Sequence, residues 1–293
     1  MKLVAATRGS PLALWQTKHI ALLLEPFGVD VEPLIVVTSG DKDQSSPIHE
    51  IGGKGVFAKE VQSAVLENRA DFAVHSLKDL PSLTPEGLEL IAVPNRGDPR
   101  DALVGSSLKE LPVDGNVATG SVRRKAQLAA VRPDLNFHEL RGNIETRLAK
   151  AKNFDAIIIS AVALARLEIT PDAMEILEPE IMLPQVGQGA LGIETRKGDH
   201  KTNELLSHIQ DSLTRAEIDA ERSFLAQIGA DCRSPIASYA VHQGNQIRLR
   251  SLAANEDGEI ILADDRSGHD GVELGKIAAN TLIARGAKDL FQS

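Results

Sequence analysis

Residues 2–22 read KLVAATRGSPLALWQTKHIAL. The opening KLVAAT is a short aliphatic run of strand character. Ser10 follows where a helix N-cap belongs, and Pro11 takes the first helical position of a helix running through Trp15 and Leu22. A strand feeding straight into a capped helix is the unit of a sheet with crossover helices. The same alternation continues with EPLIVV (32–37) as a strand, FAKEVQSAVLENR (57–69) as a helix and DFAVHS (71–76) as a strand.

The segment PNRGDPRDALV (94–104) is rich in Pro, Gly and charge and predicts a domain crossing. The pattern then restarts. NVAT, LNFHEL and FDAIIIS read as strands, and SVRRKAQLAAV, NIETRLAKAK and AVALARL as helices. EIMLP (180–184) and QGALGIET (188–195) read as strands around a second crossing. Beyond residue 212 comes a long helix, LTRAEIDAERSFLAQIG, and then three strands, IASYAVH, QIRLRSLAAN and EIILADD. Hairpin signals at Gln243-Gly244-Asn245 and Asp257-Gly258 separate them, and a last helix covers Val272 to Arg285. The expected fold is α/β, with two doubly wound lobes built on parallel sheets and a small α+β C-terminal domain. Its domains would be residues 1–95 with 190–208, residues 96–189, and residues 212–293.

Composition narrows the function. Of 293 residues 42% are hydrophobic but only 3% aromatic, so the core is aliphatic and no stacking surface for bases is built. A net charge of −9 argues against indiscriminate nucleic-acid binding. No stretch approaches a membrane span, and Pro11 interrupts the only apolar run near the N-terminus. A single cysteine, Cys232, suits a reducing cytoplasm.

Against the acidic total, basic residues cluster between Thr119 and Arg147. Arg123 and Arg124 stand in the first turn of a helix, where the dipole disfavours cations unless an anion joins them. LRGNIETR repeats the arrangement with Arg141, Asn143 as N-cap and Arg147 one turn in. Arg8 and Arg166 extend the theme. A lone Arg pair reads first as a solvated basic face; two such helix starts bring the anion-site reading level with it. So many guanidiniums expect a ligand with several carboxylates or phosphates. In AVHSLKDLPS (73–82), Lys78 and Asp79 follow a strand end, where α/β proteins place ligand-binding groups. Asp79 is equally a turn former, and His75 reads as a structural histidine with no metal-site spacing around it. IGGKGVF lacks a phosphate-loop spacing and reads as a Gly-hinged loop carrying Lys54 and Phe57. Cys232, in GADCRSP (229–235), reads by itself as a small packing residue, although it lies in a turn after a helix.

Eight collinear blocks, ATRGSPLALWQ, IGGKGVFAKE, DFAVHSLKDLP, RGDPRDALV, GSVRRKAQL, LRGNIETRL, LPQVGQGALGIE and AERSFLAQIGADCRSPIASYA, together resemble the porphobilinogen deaminase (hydroxymethylbilane synthase) family. The resemblance covers about Ala5 to Ala240. It implies two lobes like type II periplasmic binding proteins and a third domain carrying the cysteine. It implies a dipyrromethane cofactor joined by thioether to Cys232 and self-assembled from two porphobilinogen units. It further implies a transferase that adds four porphobilinogen molecules head to tail, with loss of ammonia, to give hydroxymethylbilane. Asp79 matches the catalytic aspartate. Lys78, Asp79, Thr119, Ser121, Arg123 and Arg124 would hold the cofactor. Arg8, Ser10, Gln16, Lys54, Phe57, Arg141, Arg147 and Arg166 would hold substrate or the growing chain. The resemblance also implies a cytoplasmic monomer, without metal, nucleic-acid or membrane partners, that passes its product to the next tetrapyrrole enzyme. Gly120 departs from the family's usual serine and removes a hydroxyl from the cofactor side. The rival readings are a non-catalytic bilobal anion-binding protein and a cysteine-nucleophile hydrolase, the latter without an evident His partner.

Overall fold

The computed structural model describes residues 1–42, 55–230 and 234–291. Strand β1 (Lys2–Arg8) leads into helix α1 (Pro11–Leu24), followed by β2 (Asp30–Val36), a short helical turn α2 (Ser39–Lys42), α3 (Lys59–Leu66), β3 (Phe72–Ser76) and β4 (Leu88–Ala92). Then come β5 (Asp101–Val104), β6 (Asn116–Ala118), α4 (Val122–Val131), β7 (Asn136–His138), α5 (Ile144–Ala151), β8 (Ala156–Ser160), α6 (Ala161–Arg166) and β9 (Met174–Leu177). The remainder holds β10 (Leu191–Arg196), α7 (His200–Ser207), α8 (Ser212–Ile228), the strands β11 (Ile236–Gln243), β12 (Gln246–Ala254) and β13 (Ile261–Gly268), and α9 (Gly271–Ala284).

The chain parts into two compact units, Met1–Gly97 with Gly189–Arg215 and Asp98–Gln188 with Ala216–Ser293. The first unit is built on a five-stranded sheet of order β2-β1-β3-β10-β4. β1 is parallel to β2 and β3, whereas β10 runs antiparallel to both β3 and β4. Leu3, Ala5, Ile20, Leu24, Phe72 and Ile193 form a fully buried core on one face.

The second unit repeats that design with the order β7-β6-β8-β5-β9, in which β5 is the antiparallel strand. β8, AIIIS, is buried at every position, as a central strand covered on both faces must be. The same unit holds the antiparallel sheet β11-β12-β13. Gln243 pairs with Gln246 across a two-residue turn in which Gly244 supplies a φ of +63°. α8 and α9 cover one face of this sheet through Ala220, Phe224, Ile228, Leu274, Ala278 and Leu282. The helices approach so closely that a Cβ on Gly275 would lie 2.3 Å from the Ala220 carbonyl oxygen. Ala126 of α4 packs with Leu183, Ala237, Leu252 and Ala254, so the α+β part shares a core with the helix bearing Arg123 and Arg124.

Three expectations change. Both large sheets are mixed, because in each one antiparallel strand is inserted between parallel strands and an edge strand; hydrophobic runs do not encode strand direction. EIMLP is a turn rather than a strand, with Ile181 and Met182 both donating to the Glu178 carbonyl. Its apolar character comes from Met182 filling the core, and the Gln127 side chain satisfies the Leu183 backbone instead of a ladder. Strands β4, β5 and β9 went unread, and β5 lies inside the Pro/Gly-rich segment read as a crossing.

Candidate active site

In the first unit the carboxyl ends of β1 and β3 open on a cleft lined by Arg8, Gln16, Phe57, His75, Ser76 and Asp79. Ligands of open α/β sheets bind outside such strand ends. Asp79 closes a single 3-10 turn, Leu77–Asp79, pinned from both sides. Leu77 and Leu80 are buried, and the Leu77 N–H donates to the Ala190 carbonyl at 3.0 Å. That leaves Lys78 and Asp79 half-buried on the turn between two anchors. Gln16, buried on α1, donates from Nε2 to the Ser76 hydroxyl at 2.8 Å. Ser10 accepts from the Ala13 N–H at 3.3 Å and so caps α1, a role already visible in the sequence.

Arg8 at the end of β1 meets Asp41, its Nε lying 3.2 Å from both carboxylate oxygens, and its guanidinium stacks 4.2 Å from the Phe57 ring centroid. Partial burial would raise the Asp41 carboxyl, but hydrogen bonds from Arg8 and the Thr38 hydroxyl outweigh it and hold it below the usual carboxylate range. Behind the cleft, Glu194 of β10 is buried, accepts from Gln62 Nε2 at 2.8 Å and lies 3.1 Å from His75 Nε2. His75 Nε2 is buried close to that carboxylate but forms no hydrogen bond with it. Lys54 lies outside the described residues.

In the second unit the equivalent strand ends carry the cations. The chain leaves β6 through Thr119 and Gly120 to Ser121, which stands at the N-cap of α4 without a side-chain capping bond, while Thr119 Oγ1 accepts from the Ser121 N–H at 3.2 Å. Arg123 and Arg124 are 3% and 6% exposed, so neither belongs to a solvated basic face. Both reach one carboxylate. Asp101 Oδ2 accepts from Arg123 at 2.8 Å, and Oδ1 accepts from Arg124 at 2.7 Å and from Gln188 Nε2 at 2.7 Å. Burial alone would raise the Asp101 carboxyl strongly; the two guanidiniums and the hydrogen bonds overcome that and hold it far below the usual range. Burial pushes the Arg123 guanidinium down, against the pull of Asp101.

Arg141 lies 3.5 Å from Glu139 and Arg147 donates from Nε to the Gly142 carbonyl at 2.8 Å, both near the start of α5. Burial lowers Arg166, at the end of α6, to about 10, the signature of a cation held partly out of water. Cys232 lies outside the described residues, between Ala230, which is buried after α8, and Ser234, which leads into β11.

Residues 3–204 match the family model described as "Porphobilinogen deaminase, dipyromethane cofactor binding domain", and residues 215–284 match "Porphobilinogen deaminase, C-terminal domain". The chain belongs to the porphobilinogen deaminase family. A porphobilinogen deaminase of Acidithiobacillus ferrooxidans is 43% identical over 293 residues, covering 98% of this chain and 96% of that one. One from Maridesulfovibrio salexigens is 41% identical over 299 residues, covering 99% and 97%. Among solved structures, the methionine-binding protein MetQ overlays with a TM-score of 0.46 at 12% identity, over 72% of this chain and 91% of that one.

At Gly120, a Cβ would lie 2.7 Å from the Leu140 carbonyl oxygen, so the turn before α4 has no room for a side chain there. Sequence reasoning missed Asp101, Gln188, Asp41 and Glu194. Asp101 sits inside RGDPRDALV and Glu194 inside LPQVGQGALGIE, two of the family blocks, but nothing local in either marks a buried carboxylate.

Proposed function

We propose that this chain joins four porphobilinogen molecules head to tail, with loss of ammonia at each addition, into the linear tetrapyrrole hydroxymethylbilane, using Asp79 as its catalytic carboxylate and Cys232 as the thiol that carries a dipyrromethane primer. Family membership along nearly the whole chain supports the reaction. The observation that carries the role of Asp79 is its position: a half-buried carboxylate on a pinned turn, in one cleft with Arg8, Gln16 and Phe57.

The residues of the second unit suit the primer, whose rings each bear an acetate and a propionate. The Arg123–Arg124–Asp101 triad keeps one positive charge in excess, Arg123 Nε is buried without a partner, and the start of α4 lacks a side-chain cap. The excess charge and the two unsatisfied donors all favour a carboxylate. Thr119, Ser121, Arg123, Arg124 and Lys78 would hold it. Bound there, the primer supplies the free pyrrole α-carbon on which the product grows.

The chain's own residues then have distinct tasks. Arg8, Ser10, Gln16, Arg141, Arg147 and Arg166, with Lys54 and Phe57, bind and orient the substrate's carboxylates and ring. The Asp79 oxygens accept the pyrrole N–H and lie against the positive charge that grows as the carbon–nitrogen bond to the amine breaks, the inverse of an oxyanion hole. The amine leaves as ammonia from its ammonium form, and the same oxygens take up the proton that the attacking α-carbon loses. Sequence composition and sheet order together support three domains, one for each sheet. The reading carries a monomer acting in the cytoplasm and handing its product to the next tetrapyrrole enzyme; light scattering on the purified protein checks the oligomeric state.

The deciding experiment is the intact mass of the denatured protein. An excess of two pyrrole units is expected in the wild type and should vanish in Cys232→Ser; an unmodified mass in active enzyme would sink the reading. The alternative of a non-catalytic anion-binding protein leaves Asp79 without a task, and no observation favours it.

A further inference from the structure

We propose that Asp101, oriented by Gln188, is the positioning residue that aims Arg123 and Arg124 at the primer, and that the chain needs it in order to load the primer onto Cys232. This rests on the cofactor reading above.

Asp101 is the first residue of β5 and is fully buried. Its two oxygens take up donors from both arginines. Oδ1 accepts the Nε and a terminal nitrogen of Arg124 at 3.1 and 2.7 Å, and Oδ2 accepts a terminal nitrogen of Arg123 at 2.8 Å. The opposite edge of each guanidinium is tied to backbone, Arg123 to the Leu183 carbonyl at 2.7 Å and Arg124 to the Ile158 carbonyl at 3.0 Å. Gln188 fixes the carboxylate in turn, donating from one amide nitrogen to Asp101 Oδ1 and to the Pro99 carbonyl, each at 2.7 Å. Each guanidinium is planar and rigid, so once two of its edges are fixed its remaining N–H bonds have a set direction.

A purely structural role accounts poorly for this cluster. Buried ion groups are weak stabilisers compared with apolar packing of the same volume. An arrangement selected for stability would also balance its charge and pair every donor. This one leaves a positive charge in excess and the Arg123 Nε unpartnered. Asp101 neutralises one of the two cations and consumes their inward donors, so an incoming carboxylate meets a single net charge in a fixed orientation. Such supporting groups typically change the function of the residues they hold by roughly tenfold to a hundredfold.

The test uses full-length apoprotein made in a host that cannot synthesise porphobilinogen. Porphobilinogen is then added and the two-ring mass increment is followed over time on the folded fraction. Asp101→Asn keeps shape but removes charge; its folded protein should load roughly ten to a hundred times more slowly than wild type. Asp98→Asn, at the neighbouring Asp98–Arg100 pair, should load at the wild-type rate. Folded Asp101→Asn protein that loads as fast as wild type overturns the assignment. Should Asp101→Asn fail to fold, Gln188→Leu decides. It leaves all three charges in place and removes the amide that bonds Asp101 and the Pro99 carbonyl. Several-fold slower loading with an unchanged melting temperature supports the assignment, and wild-type loading overturns it. A stabilising role alone would shift the melting temperature and leave the loading of folded molecules unchanged. A wild-type protein that gains no mass sinks the cofactor reading itself, and this assignment with it.

Discussion

Asp79 and Asp101 both lie at the ends of interior strands, and their surroundings suit them to opposite tasks. Asp79 stands half-buried at the mouth of a cleft, with Leu77 and Leu80 holding its turn, so its carboxylate can meet a substrate. Asp101 is enclosed by cations and can meet only the chain. Asp79→Asn, which keeps the shape and removes the charge, should lower turnover by roughly a hundred- to ten-thousandfold. Its melting temperature should stay near that of the wild type, because no buried contact is lost. Steady-state rates beside thermal melts check both halves, and near-normal turnover would refute the role. Gly120→Ser drives a Cβ to within 2.7 Å of the Leu140 carbonyl oxygen. It should therefore destabilise the protein by about 1–3 kcal/mol, measured by urea unfolding, instead of improving it. The place of Asp79 after a strand was legible in the sequence. The surroundings of Asp101 were not, since they come from positions 123, 124 and 188.

Helix starts are the elements read best, because a cap is a local event. Ser10 and Pro11 open α1 as expected, and Asn143 caps α5 by accepting from the Thr146 N–H at 2.8 Å. Asn143→Ala should cost about 1 kcal/mol in chemical denaturation. The contact of α8 with α9 is the opposite case. Gly275 lies inside α9, and a Cβ there would lie 2.3 Å from the Ala220 carbonyl and 2.7 Å from the Phe224 nitrogen. Gly275→Ala, normally favourable inside a helix, should here lose about 1–3 kcal/mol; a variant more stable than wild type would contradict the packing. The EIMLP segment went astray for a related reason. Apolar residues that fill a core from a turn have the composition of a strand, and only the absence of ladder partners tells the two apart.

Across the whole molecule, two sheets of one strand order each place polar and basic groups at the carboxyl ends of their parallel strands, and a small antiparallel domain follows. Many of those groups are charged, so stability should follow pH. Asp41, Asp98 and Asp101 are held below the ordinary aspartate value of 3.8 in the folded protein. Below that value the unfolded chain binds protons that the folded one does not. Their contribution is therefore full above about pH 5 and lost as pH falls through 3.8 towards the folded values. Denaturation midpoints measured between pH 7 and pH 3 should hold steady and then drop, with a shallower drop in Asp101→Asn; a flat profile would contradict the sign. By itself the sequence determined the α/β alternation, the helix caps, the aliphatic core and, through eight collinear blocks, the family, because each of these is written in neighbouring residues. Only the tertiary structure decided which strand of each sheet runs antiparallel, which carboxylate lies between Arg123 and Arg124, and that Asp41 sits on Arg8. Those outcomes depend on residues brought together from distant positions in the chain, where desolvation and pairing, rather than local propensity, set the energy.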